Sequence, residues 1–99
     1  MRSAIRPDWL ERRIVITKEN APIGWTLLMS ELEDAKEHLS TLIEDMRRDP
    51  AYGAANLRID LGHVFSHLNR AWHRRDIRED LSEVEWKKAS QFPSDIEPI

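Results

Sequence analysis

Residues 25–75 read WTLLMSELEDAKEHLSTLIEDMRRDPAYGAANLRIDLGHVFSHLNRAWHRR, and the spacing of their apolar side chains decides the fold. Trp25, Leu28, Leu32, Ala35, Leu39, Leu42 and Met46 recur at alternating steps of three and four, with Ile43 beside them. That repeat predicts an amphipathic helix from Trp25 to Arg48. Arg47 and Arg48 suit its carbonyl end, and Asp49-Pro50 cannot continue the hydrogen-bond ladder. After Tyr52-Gly53 the pattern resumes with Ala54, Leu57, Leu61, Val64, Leu68 and Ala71, flanked by Phe65 and Trp72. This predicts a second helix from Ala54 to Arg75. Two stripes joined by about five residues belong to antiparallel neighbours, so the fold class is all-α, a helical hairpin. Gly62 falls in mid-helix, at a cost of about 1 kcal/mol against Ala. Either a close helix approach requires it there or the fold tolerates the flaw.

Ninety-nine residues make one domain, divided by this reading into an arm at 1–24, the hairpin at 25–75, and a short helix with an extended tail at 76–99. A hairpin is a single layer and needs cover on its outer sides. The ends must fold back over it or a second copy must pair with it, and both are expected, the second as a homodimeric four-helix bundle. Charged residues make up 33% of the chain, yet the net charge is only −3, which argues against a general nucleic-acid binder. Without cysteine there is no disulfide or thiolate chemistry. The opening residues lack an apolar run of signal-peptide length and no stretch is long enough to span a bilayer, so no membrane partner and a cytoplasmic location are expected.

In the arm, Pro7-Asp8-Trp9-Leu10-Glu11 is a candidate short helix capped by Asp8, with Trp9 as anchor. Ile14-Val15-Ile16 suits an extended segment. After Arg75 the apolar phase changes, so the second helix breaks near Arg75 or Asp80. Asp76-x-x-Glu79 and Ser82-x-x-Glu85 are both capping-box patterns. The better one starts a short helix over Ser82–Ser90, with Trp86 as a second anchor, and Phe92-Pro93 stops it.

One group of residues carries possible chemistry. On a helical wheel with Leu32 and Leu61 facing one another, Glu31, Asp34 and His38 share a flank of the first helix. Asp60, His63 and His67 occupy the matching flank of the second, with His38 level with His63. Each trio advances by steps of three and four, i, i+3, i+7, which lets one helix present several ligands to one ion. The set of carboxylates and imidazoles, without sulfur, suits Mn, Fe, Zn or Mg. Ala35, Leu42, Val64 and Ala71 widen both stripes toward this side, so a second layer is expected there. Solvated helix faces also carry such residues in ordinary surface pairs, and imidazole changes charge near neutral pH, so a pH-sensitive interface is a third reading.

Glu31-x-x-Asp34 and Asp60-x-x-His63 resemble the paired motifs of the all-α nucleotide pyrophosphohydrolases of the MazG type. Those carry Glu-x-x-Glu on one helix and Glu-x-x-Asp on the next to hold Mg. The resemblance covers the hairpin alone and implies metal-dependent phosphate hydrolysis. Two of the four positions depart from the family's residues, and His is a poor ligand for Mg.

Arg70, His73, Arg74, Arg75 and Arg78 form a basic cluster at the end of the second helix. It suits phosphate or an acidic partner, but Glu31, Glu33 and Asp34 lie at the same end of the hairpin and would neutralise it. The reading favoured by the sequence is a small dimeric interaction or regulatory protein without a resident cofactor. It engages a protein partner through Trp9, Trp86, Arg70, Arg74 and Arg75. A metal-dependent helical enzyme is the alternative, and a nucleic-acid-associated protein the third.

Overall fold

A computed structural model of the chain describes residues 15–99. The expected Asp8-capped helix, the Trp9 anchor and Ile14 lie outside the described residues. Within them the fold is all-helical: α1 spans Pro22–Arg48, α2 spans Ala54–His73, a 3-10 turn covers Arg74–Asp76, and α3 spans Glu83–Ala89. No strand occurs among the described residues.

The helix ends follow from local chemistry. α1 starts three residues earlier than the apolar repeat indicates. Pro22 occupies its first turn, where the missing N–H has no partner to lose. Just before it, Asn20 Oδ1 accepts from the Thr17 amide at 2.8 Å and Thr17 Oγ1 accepts from the Asn20 amide at 3.1 Å. α1 ends at Arg48 because Asp49 turns extended, and the Asp49 carboxylate takes the Ala51 amide at 2.9 Å. α2 tightens at His73 into the 3-10 turn, and Ile77 leaves it extended. α3 starts with the Ser82/Glu85 capping box. Ser82 Oγ accepts from the Glu85 amide at 3.2 Å, and Glu85 Oε1 accepts from the Ser82 amide at 3.0 Å. That backbone donor, with the Ser82 side chain, holds the Glu85 carboxyl below its usual range. Asp76-x-x-Glu79 starts no helix; the chain there is irregular.

The two long helices pack together as the hairpin requires, but with a different phase. The buried contact consists of Ala35, Leu42 and Val64, with Leu57 and Leu61 packed against it. Leu32, Leu39 and Leu68, expected at the centre of the contact, stay 40%, 42% and 41% exposed. Relative to the Leu32 and Leu61 directions, both contact faces are rotated by roughly 80° toward the carboxylate–histidine side. The physical reason lies in side-chain size and polarity together. Ala35 and Ala71 let the backbones approach, and the rotation brings Glu31 of α1 to the cations of α2.

The far end of the hairpin is closed by backbone contacts. Ile16 is 2% exposed, and its amide donates to the Arg75 carbonyl at 2.9 Å. It is the anchor of the described part of the arm. Gly24 lies flat against the chain at Ile77 and Arg78. Arg78 Nη1 donates to the Asn20 carbonyl at 2.7 Å. α3 leans on α2 and not on α1, and side chains of α2 hold the tail. Asn69 Nδ2 donates to the Ser90 carbonyl at 2.9 Å, Trp72 Nε1 donates to Asp95 at 2.9 Å, and the Phe65 and Phe92 rings meet at 5.3 Å. No helix among the described residues is long and apolar enough to cross a membrane.

Candidate functional site

Because the contact face is rotated, the carboxylate–histidine flank becomes part of the hairpin's own interface. Glu31 is buried in it, toward the open end of the hairpin. Its Oε1 lies 2.7 Å from His67 Nδ1, its Oε2 accepts from Arg70 Nε at 2.7 Å, and Arg74 Nε lies 3.5 Å from the same Oε2. Arg70 and Arg74 are 4% and 5% exposed. Burial acts to raise the Glu31 carboxyl, but the hydrogen bonds and charges of Arg70 and His67 outweigh it, and the group is held below the ordinary carboxylate range. A buried carboxylate facing two guanidiniums persists only because each ion is paired and hydrogen-bonded. Arg74 Nη1 is the one buried donor left without a partner among the described residues.

A carboxylate oxygen accepts only, so the Glu31 contact calls for a proton on His67 Nδ1. Arg70 Nη2, itself a donor, lies 3.0 Å from the same nitrogen, which would accept from it in the other tautomer.

Around His67 stand the other two imidazoles of the predicted flank. The His38 ring stacks on His67 with centroids 5.0 Å apart, and meets His63 edge-on at 5.6 Å. The expected level of His38 with His63 is therefore realised. Glu31, Asp34 and His67 also place one possible ligand atom each within 4.8 Å of one another. Asp34, His38 and His63 are exposed, and His67 is half-buried. Of the six residues read as one flank, Glu31, Asp34 and His67 bring ligand atoms together, and His38 and His63 join them through ring contacts alone.

Asp60 departs from the set. Its Oδ2 accepts the Tyr52 hydroxyl at 2.7 Å, at the turn of the hairpin. Loss of hydration, together with that hydrogen bond and the Asp60 charge, pushes the Tyr52 phenol up to about 12. The paired Glu31-x-x-Asp34 and Asp60-x-x-His63 arrangement of the pyrophosphohydrolase resemblance thus has one member occupied elsewhere.

The basic cluster is divided in a similar way. Arg70 and Arg74 turn inward to Glu31 and offer no open cationic surface, contrary to the expectation that they contact a partner. Arg70 also stacks on the Trp86 ring at 4.2 Å and donates to Ser90 Oγ at 2.7 Å. Arg75 lies over the Trp72 ring at 4.0 Å and reaches Asp95 at 3.0 Å. Trp86 remains 45% exposed. Asn69 and Ser90, which tie α3 to α2, carry no motif that sequence alone would flag.

A second feature becomes visible on the opposite side of the hairpin. Leu32, Leu39, Ile43 and Met46 of α1 are 39–50% exposed, and Phe65 and Leu68 of α2 are 42% and 41% exposed. On both helices these residues lie roughly 40–120° from the contact direction, in the sense opposite to the histidines. They share one side of the hairpin. No family model, curated protein or solved structure matches the chain.

Proposed function

We propose that this chain is a homodimeric helical interaction protein in which the apolar face of one hairpin covers that of a second copy, giving a four-helix bundle. The observation that carries this reading is the six-residue apolar face itself, set against the thin core behind it. The buried hydrophobic side chains of the described residues are Ile16, Ala21, Ala35, Leu42, Val64, Ala71 and Ala89, four of them alanines. A second copy is the occupant that fits in size. Two helices side by side, about 20 Å wide over about 30 Å of shared length, project roughly 600 Å², near the roughly 800 Å² per partner of a standard interface. The face is apolar along its middle, with Lys36, Arg47 and Arg58 at its edge and Phe92 of the tail against Phe65, and a second copy related by a two-fold axis would meet the same apolar residues. It lies opposite the histidines, not on their side as the widened stripes implied. Trp86, 45% exposed on α3, would be the contact for a further protein partner.

Light scattering coupled to size exclusion tests the proposal. The expected mass is twice the chain's 11.7 kDa. Leu39→Glu combined with Leu68→Glu is expected to give a folded monomer, since both positions are already partly solvated. A wild-type monomer at concentrations up to hundreds of micromolar would overturn it.

A further inference from the structure

The C-terminal tail follows the row of α2 side chains that supplies the apolar side of the hairpin. Phe65, Leu68, Trp72 and Arg75 advance by steps of three and four, so they lie in one row along α2 and into the 3-10 turn. The tail meets that row at two points. The Phe92 ring stands 5.3 Å from the Phe65 ring. Three residues on, Asp95 Oδ1 accepts from Trp72 Nε1 at 2.9 Å, and Asp95 Oδ2 accepts from Arg75 Nη2 at 3.0 Å. The two spacings agree. The step from Phe65 to Trp72 rises about 10.5 Å along the helix, and the chain from Phe92 to Asp95 can reach about 10 Å. Arg75 is itself fixed before the tail arrives. Its guanidinium lies 4.0 Å over the Trp72 ring, and its Nη1 donates to the Trp72 carbonyl at 2.9 Å. One carboxylate of the tail therefore closes on two donors that α2 and its 3-10 turn already hold together.

We propose that the tail is part of the interface with the second copy: Asp95 latches it to α2, and Phe92, seated on Phe65, adds its ring to the apolar face. This rests on the dimer proposed above. Phe92 touches Phe65 yet stays 71% exposed, so most of its own surface is left for another body to cover. A large ring already held in place costs little further ordering when a partner covers it. Pro93, between ring and latch, restricts the backbone that joins them. A second copy is the occupant because Phe92 borders Phe65 and so continues the six-residue face. Around a two-fold axis each copy offers its ring to the same interface, so the tail counts twice.

Sedimentation equilibrium of the full chain tests this. Phe92→Ala should leave the helical circular dichroism unchanged and raise the dimer dissociation constant about tenfold. Asp95→Ala should do much the same, and the double variant should be little weaker than either single one, because both remove one positioned ring. Ile99→Ala, beyond the latch, should change nothing. The latch has its own readout in the Trp72 indole N–H resonance, assigned by its loss in Trp72→Phe. It should shift and exchange faster in Asp95→Ala, in the wild-type background and in Leu39→Glu/Leu68→Glu alike, since the latch lies within one chain. A wild-type dimer indifferent to Phe92→Ala and Asp95→Ala would overturn the role of the tail and leave the dimer standing. Tighter association in either variant would also overturn it, by showing that the tail shields the face. A wild-type monomer would remove both proposals.

Discussion

Tyr52 is the only tyrosine in the chain, which makes its bond to Asp60 directly measurable. The phenol donates to the carboxylate, and loss of hydration with that partner pushes its pKa up to about 12. A group whose folded pKa lies above its unfolded value near 10 contributes stability that is fully present below pH 10. The contribution is lost as pH rises toward 12. Spectrophotometric titration of the native protein should therefore show phenolate forming about two units later than in the denatured chain. Asp60→Asn should bring the native curve back toward 10, and should flatten the stability loss between pH 10 and 12. Native and denatured curves that coincide would show that the hydroxyl is not held. The same bond explains why Asp60 is absent from the histidine cluster: a residue with a near, neutral donor at the turn has no need of the flank three residues on.

At the level of single elements, two glycines separate what a helix tolerates from what its neighbours require. Gly62 lies in mid-α2 with nothing within 4 Å of where a Cβ would stand. Gly62→Ala should thus stabilise the fold by about 0.5–1 kcal/mol through helix propensity alone. Gly24 is the opposite case. A Cβ there would run into the Ile77 carbonyl oxygen and the backbone at Arg78. Gly24→Ala should cost about 1–3 kcal/mol, because backbone rather than a movable side chain must yield. Urea unfolding of the two variants should move the midpoint in opposite directions, and equal shifts would refute the close crossing at Gly24. The hairpin, its turn and the Ser82 cap were legible in the sequence, since each rests on local spacing or on a capping residue. The rotation of the helices was not. Ala35 and Leu32 are both apolar and stand about 60° apart on the wheel, so the stripe alone does not decide which edge meets the partner. The choice depends on Glu31 finding Arg70 and Arg74, some forty residues away, and on two alanines that permit close approach. The histidine flank was legible because it needs only helical spacing and matched height. The departure of Asp60 was hidden because it depends on the geometry of the turn.

For the molecule as a whole, the balance between core and surface decides the behaviour. A hairpin with few fully buried hydrophobic side chains, four of the seven among the described residues being alanine, and with an ionic cluster toward its open end, gains little from burial by a single chain. The missing apolar contact is present in the sequence but faces outward at Leu32, Leu39, Ile43, Met46, Phe65 and Leu68. If two copies bury it together, unfolding and dissociation become one event, and stability must depend on protein concentration. Tenfold dilution then removes about 1.4 kcal/mol per dimer, or about 0.7 kcal/mol per chain. At about 4–8 °C per kcal/mol for a chain of this size, Tm should fall by about 3–6 °C. Circular dichroism melts in metal-free buffer, taken from a few to several hundred micromolar, measure this slope. In Leu39→Glu/Leu68→Glu the slope should vanish and Tm should lie below that of the wild type at every concentration. A wild-type Tm independent of dilution would mean that this apolar face remains solvated in the folded protein, and that the thin core suffices alone.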